Sequence, residues 1–181
     1  MKDYSIVIPL FNEAESLPEL HNWIQRVMHE SKSTYEIWFI NDGSTDNSWE
    51  VIEELKQKDQ HVKAVKFQRN YGKSAGLFVG FEKAEGEVVV TMDADLQDSP
   101  EELPEMRRMI IEDGFDLVSG WKKKRYDSLL SKNLPSKLFN WAARKTSGVQ
   151  LNDLNFFLRN LKFLVLKDFY QIPLSLLELS H

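Results

Sequence analysis

The sequence predicts an α/β fold, a doubly wound and mostly parallel sheet flanked by helices, and three observations carry that expectation. Short apolar, β-branched runs alternate with helical patterns at about 25 to 30 residues per unit, the repeat of strand–helix–strand connections. The run Val88-Val89-Val90-Thr91-Met92 has the composition of a strand buried on both faces, and it ends in Asp93 and Asp95. Polar clusters follow the other apolar runs too, at the carboxyl ends of strands, outside which open α/β sheets bind their ligands.

Tyr4-Ser5-Ile6-Val7-Ile8-Pro9 reads as the first strand and Leu10-Phe11-Asn12-Glu13 as a loop, because proline cannot donate to a ladder and asparagine favours turns. Leu17, Leu20, Trp23, Ile24, Val27 and Met28 recur at helical spacing and predict a helix over about 15–30 whose apolar stripe is core. Residues 35–40 form the second strand, ending in Asn41-Asp42-Gly43-Ser44-Thr45-Asp46, where Gly43 turns the chain and Ser44, Thr45 or Asp46 caps a helix over 48–58. A third strand, 62–67, leads through Gln68-Arg69-Asn70-Tyr71-Gly72-Lys73 into a small-residue helix, 74–84. Its Ala75, Gly76 and Gly80 permit close approach to a sheet or a ligand. After the fourth strand, Ser99-Pro100-Glu101-Glu102 has the pattern of an N-cap, a proline at the first helical position and acids in the first turn, with the helix running to about Glu112. Residues 115–119 are the fifth strand.

With 181 residues, 42% hydrophobic and 28% charged, the chain suits one domain with a sizeable core. It has no cysteine, which excludes disulfides, thiolate metal sites and cysteine nucleophiles; a metal would be held by oxygen or by the four histidines, favouring a hard cation. Met1-Lys2-Asp3 passes straight into a strand without the regions of a signal peptide, so nothing points to export. The apolar region from Leu154 to Leu177 is broken by Arg159, Lys162, Lys167 and Asp168 and does not make a membrane span. Charge is unevenly placed. Residues 121–145 carry eight basic side chains against Asp127 alone, whereas the rest of the chain has 15 basic against 27 acidic residues. An acidic body with one basic segment implies a localised anionic partner.

Asp93 and Asp95, delivered to one strand end, repel each other unless a cation or proton stands between them, which points to a divalent metal. An isolated Asp-x-Asp more often marks a polar strand end and a helix cap; four polar clusters converging on one rim favour a site. Neither a G-x-G-x-x-G turn nor a Walker lysine loop is present, so a diphosphate would be handled by the metal acting as a Lewis acid. Asp42 can accept hydrogen bonds from a base or ribose, or stabilise its own turn. Lys73 can offer its charge to a phosphate, or lie solvated at a helix start.

The combination of Ile8-Pro9-Leu10-Phe11-Asn12-Glu13, Asn41-Asp42-Gly43-Ser44-Thr45-Asp46, Asn70-Tyr71-Gly72-Lys73 and Asp93-Ala94-Asp95-Leu96-Gln97-Asp98 closely resembles the family 2 glycosyltransferases, over about residues 4 to 155. Within them it looks most like the polyprenyl-phosphate sugar transferases. The resemblance implies a GT-A, Rossmann-like fold and an inverting, metal-dependent transfer from a UDP- or GDP-sugar to a polyprenyl phosphate. By that likeness Pro9, Phe11, Asn12 and Glu13 line the nucleotide pocket with Lys73 and Asp93, Asp42 binds base or ribose, and Asp93, Asp95 and Gln97 gather Mg²⁺ or Mn²⁺. Asp153, within Leu151-Asn152-Asp153-Leu154-Asn155, resembles the aspartate that the family places near the reacting centre, and it joins Asp95 as a candidate catalytic residue.

Residues 1–150 are then expected to form the nucleotide-sugar-binding catalytic domain, and 151–181 an acceptor-side segment, truncated or divergent relative to the family, in which Phe156-Phe157 stands where a small pair is usual. Lys122, Lys123, Lys124 and Arg125 follow the fifth strand and can hold an acceptor phosphate. Leu129, Leu130, Leu134, Leu138, Trp141 and Ala142 recur among basic residues, as in an interfacial helix interrupted at Pro135, or equally in a helix packed on the domain with a solvated basic face. The expected location is cytoplasmic, peripheral to an anionic membrane face; a homo-oligomer stays open. Nucleic acid is disfavoured by the acidic body and the lack of a recognition motif. The competing readings are transfer to a glycan or other soluble acceptor, a non-catalytic nucleotide-sugar or membrane-binding domain, and nucleotidyl transfer.

Overall fold

The structure, a computed structural model, describes residues 2–119 and the strand 163–167. These belong to one compact unit, Met1–Ser119 with Lys162–His181; the second unit, Gly120–Leu161, lies outside the described residues, as does the expected boundary at residue 150. Along the chain run β1 (Lys2–Leu10), α1 (Leu17–Glu30), β2 (Tyr35–Asn41), α2 (Ser48–Lys58), β3 (Val62–Lys66), α3 (Lys73–Lys83), β4 (Gly86–Met92), a 3₁₀ turn (Pro100–Glu102), α4 (Leu103–Ile111), β5 (Leu117–Ser119) and β6 (Phe163–Lys167). The described strands form one sheet in the order β3-β2-β1-β4-β6-β5.

β1 pairs in parallel with both β2 and β4, placing Ile6 opposite Ile37 on one side and Val90 on the other, and β2 pairs in parallel with β3. Side chains alternate between the two faces of such a sheet. Tyr4, Ile6, Ile8, Ile37, Phe39, Val88 and Val90 point into a core closed by Leu17, Leu20 and Ile24 of α1, Ile52 of α2 and Leu103 and Ile110 of α4. Val7, Ile40 and Val89 point the other way, onto Phe81 of α3. Helices therefore cover both faces, as the doubly wound reading expects. Each fully buried Ile, Leu or Phe contributes roughly 1.5 to 3 kcal/mol.

The glycines of α3 serve the sheet. A Cβ on Gly80 would lie 2.2 Å from Val7 Cγ1, so α3 can cross β1 at this distance only with glycine there.

Two expectations about elements are corrected, and one strand is added. Leu10, expected to open the loop, is instead the last residue of β1, opposite Asn41, so the strand runs on past Pro9. The Leu10 carbonyl accepts from Asp42 N–H on the β2 side, so alternation turns the nitrogen of Pro9 towards β4, where the ladder has already ended at Val7–Thr91. No ladder bond is lost there. The helix expected from Pro100 is a 3₁₀ turn followed by α4, because Pro104 has no N–H to carry an α-helical bond back to Pro100. Finally, β6 enters between β4 and β5, antiparallel to both. Four apolar residues and a lysine have no periodicity that separates strand from helix, and no local turn marks so distant a pairing.

The amino-terminal ends of the strands are tied by a buried carboxylate. The Glu36 side chain, fully buried, accepts from Lys2 Nζ at 2.7 Å, Lys63 Nζ at 2.8 Å, Ser5 Oγ at 2.5 Å and the Glu85 amide at 2.9 Å. Ser5 Oγ in turn accepts the Gly86 amide at 2.8 Å. One acid thus links β1, β2, β3 and the start of β4. Burial pushes its pKa up, but Lys2, Lys63, Ser5 and the Glu85 amide outweigh that and bring it from 4.5 down to about 2.

Glu36→Gln keeps the shape but leaves two lysines without their buried counter-charge, and urea unfolding at pH 7 should show a loss of about 3 kcal/mol. Because the folded pKa is depressed, this contribution is present above the unfolded value of 4.5 and disappears as pH falls through about 2. The difference between wild type and variant should shrink over that window; a pH-independent difference would contradict the assignment.

Candidate active site

Parallel pairing delivers the loops after β1, β2, β3 and β4 to one rim, and side chains bind these loops to one another. Asn12 adopts φ +59°, a left-handed turn that asparagine tolerates. Its Oδ1 accepts the Thr45 amide at 2.8 Å, and its own amide donates to Ser44 Oγ at 2.9 Å. The Glu13 amide donates to Ser48 Oγ at 2.9 Å and the Ala14 amide to Asp46 Oδ2 at 3.2 Å. Burial works to raise the pKa of Asp46, but the Ser48 hydroxyl and amide and the Ala14 amide hold it below its ordinary value. Phe11 stands exposed beside this seam, whereas Pro9 is buried in β1.

Asp42, 4% exposed, fastens the second loop to the third. Its two carboxylate oxygens accept the amides of Tyr71 at 2.7 Å and Gly72 at 2.8 Å. Between them the chain passes so closely that a Cβ on Gly43, whose φ is +71°, would lie 2.4 Å from the backbone carbon of Arg69. Tyr71 projects into solvent with the Arg69 guanidinium 4.9 Å from its ring centre. An aromatic face backed by a cation at the rim was not singled out in the sequence; its signal is the Arg69-Asn70-Tyr71 run itself.

The fourth loop is folded by its own acids. Buried Asp98 accepts the Asp93 amide on Oδ2 at 3.0 Å, and Asp95 Oδ1 accepts the Gln97 amide at 3.1 Å, with Leu96 at φ +59° between them. Asp93 is turned outward, and its Oδ1 takes an ion pair from Lys73, the first residue of α3. The third and fourth loops therefore meet through opposite charges at the rim.

Asp93, Asp95 and the Gln97 amide carbonyl offer only oxygen donors, which suit Mg²⁺ or Mn²⁺. Among the described residues no three His, Cys, Asp or Glu side chains are grouped to hold an ion. A pair of carboxylates is the donor set of an ion that draws its remaining ligands from water and substrate phosphates, so the residues fit such a metal. Lys122, Lys123, Lys124, Arg125 and Asp153, with the basic interfacial segment, lie outside the described residues.

Asp42→Ala removes both acceptors of the third loop, costing roughly 1.5 to 3 kcal/mol. Amide exchange at Tyr71 and Gly72 should accelerate at least about tenfold while amides in β1 and β4 stay protected. Unchanged exchange at the two loop amides would contradict the clamp.

Comparison with known proteins follows the same lines. Residues 5–170 match the family model "Glycosyl transferase family 2". The undecaprenyl-phosphate 4-deoxy-4-formamido-L-arabinose transferase of Pseudomonas syringae pv. syringae is 39% identical over 160 residues, covering 88% of this chain and 47% of the relative. The chain spans about half the length of the curated relatives it matches. Among solved structures, S. aureus TarS in complex with UDP-GlcNAc superposes with a TM-score of 0.57 at 25% identity, covering 71% of this chain and 37% of TarS. A Pyrobaculum calidifontis mannosyltransferase in complex with GDP-Man and Mn²⁺ does so with a TM-score of 0.59 at 22% identity, covering 67% and 36% respectively. The sheet order and its helices are those of the GT-A fold expected from the sequence. By the match over 5–170 and the identity to its relatives, the chain belongs to glycosyl transferase family 2.

Proposed function

We propose that this chain carries the donor-binding part of an inverting glycosyltransferase that moves a sugar from a nucleotide diphosphate sugar to a polyprenyl phosphate. The observation that carries this reading is the meeting of Lys73 and Asp93 at the rim, flanked by the clamped loops of Asn12 and Asp42. That arrangement offers oxygen donors for a cation and an ammonium for a diphosphate within one small area. The acceptor class is supported by the relatives, which are undecaprenyl-phosphate sugar transferases.

In this reading Phe11, Asn12 and Glu13 bound the nucleoside pocket, with Pro9 supporting it from within β1. Asp42 holds the third loop and offers its remaining lone pairs to base or ribose. Asp93, Asp95 and Gln97 hold Mg²⁺ or Mn²⁺, which when bound supplies Lewis-acid stabilisation to the departing diphosphate. An oxygen of the acceptor phosphate forms the new bond to the anomeric carbon while the bond from that carbon to the diphosphate oxygen breaks, inverting the centre. The nucleoside diphosphate leaves with the electron pair. The acceptor is already an anion near neutral pH, so positioning and charge neutralisation outweigh proton removal. Lys122, Lys123, Lys124 and Arg125 would orient that phosphate, and Asp153 the reacting centre.

No helix among the described residues is long and apolar enough to cross a membrane. We assign contact with the cytoplasmic membrane face to the basic segment 121–145, where each basic residue near an anionic leaflet contributes about 1 kcal/mol.

Transfer of labelled sugar from UDP- or GDP-sugars to undecaprenyl phosphate and to undecaprenol tests the reading. Product should form with the phosphate only, and Asp93→Asn or Asp95→Asn should lower the rate by about 100-fold or more. Equal transfer to the alcohol or to a glycan would move the acceptor assignment. Absence of transfer to any acceptor would leave a donor-binding domain without catalysis.

A further inference from the structure

The Lys73–Asp93 ion pair differs from an ordinary surface pair in how its two ends are held. Gly72, immediately before Lys73, donates its amide to buried Asp42 at 2.8 Å, and Asp93 donates its own amide to buried Asp98 at 3.0 Å. Two buried acids thus pin the backbone on each side of the pair, while the pair itself is partly open: Lys73 is 49% exposed and Asp93 26%. Surface ion pairs between freely moving side chains contribute little, because holding two long side chains costs entropy. Here the anchors fix the two stretches of backbone that carry the pair.

We propose that Lys73 is a resident cation that occupies the Asp93 carboxylate until metal and nucleotide arrive together, and is then exchanged onto the nucleotide's diphosphate. The proposal rests on the reading of Asp93 as a metal ligand. A divalent ion arriving alone meets an ammonium on the same carboxylate, and like charges within about 4 Å repel strongly in a partly desolvated site. A diphosphate removes the conflict by giving the lysine a second anion, within reach of its flexible four-carbon stem. Metal alone is therefore held weakly, and metal and nucleotide strengthen each other's binding by the same factor, as linkage requires. The rim stays closed to stray cations and opens to the metal–nucleotide complex.

Binding of Mn²⁺ to the full 181-residue chain, followed by the electron paramagnetic resonance of the free ion with and without UDP or GDP, reads this directly. In the wild type one of the two nucleotides should tighten Mn²⁺ at least about tenfold. K73M and K73Q should bind Mn²⁺ alone several-fold tighter than the wild type, and the gain from nucleotide should fall to about twofold or less. K73R, which keeps the charge, should retain the wild-type coupling. K83M removes one positive charge at the far end of α3 and should change neither quantity. Unchanged or weaker Mn²⁺ binding in both K73M and K73Q, with circular dichroism and melting as in the wild type, would overturn the exchange. D93N separates this from the underlying reading: if it keeps wild-type affinity for Mn²⁺ with nucleotide, the metal assignment itself fails and the exchange falls with it.

Discussion

Everything at the rim depends on one constraint, the parallel pairing of β1 with β2 and β4 and of β2 with β3. Parallel strands cannot be joined by hairpins, so every connection crosses back over a face of the sheet. Each loop leaving a strand's carboxyl end is thereby placed beside the others, although the residues concerned are spread from Leu10 to Asp98. The opposite end of the same strands is drawn together by Glu36, whose buried charge joins β1, β2, β3 and β4 through two lysines, a hydroxyl and an amide. One end of the sheet is thus tied by buried charge, and the other is left to present exposed polar groups.

At that presenting end, the aspartates divide two tasks. Buried Asp42 accepts two backbone amides and buried Asp98 one, as exposed Asp46 accepts those of Ala14 and Ser48, so these acids shape loops. Asp93 and Asp95 are more open, and Asp93 faces a lysine from the neighbouring loop. Burial with amide donors stabilises a carboxylate in place; partial exposure beside a cation leaves one able to change partners. The rim's loops are held by amide bonds to acids, and its ion pair is the part left open to solvent.

Much of this was legible in the sequence, and the remainder was hidden for identifiable reasons. The alternation of elements was plain because β-branched runs such as Val88-Val89-Val90 and helical stripes such as Leu17, Leu20, Ile24 and Val27 have different periods. The rim loops stand out because open parallel sheets bind at strand ends and because their motifs resemble a known family. The internal work of Asp42 and Asp98 was not legible, since an aspartate that clamps amides and one that meets a ligand look alike in sequence. Glu36 carries no local signal within its strand, because its partners, Lys2, Lys63 and Ser5, lie far from it along the chain. The strand β6 and the extension of β1 to Leu10 depend on non-local pairing, which neither composition nor periodicity encodes.

Calorimetric titration of the chain with UDP and with GDP, each in Mn²⁺ and in EDTA, tests most directly whether this rim is a metal-dependent nucleotide site. The arrangement of Asp93, Asp95 and Lys73 predicts that one nucleotide binds in Mn²⁺ and releases in EDTA, naming the donor class. Binding of neither nucleotide by the folded chain, or equal binding in EDTA, would contradict it.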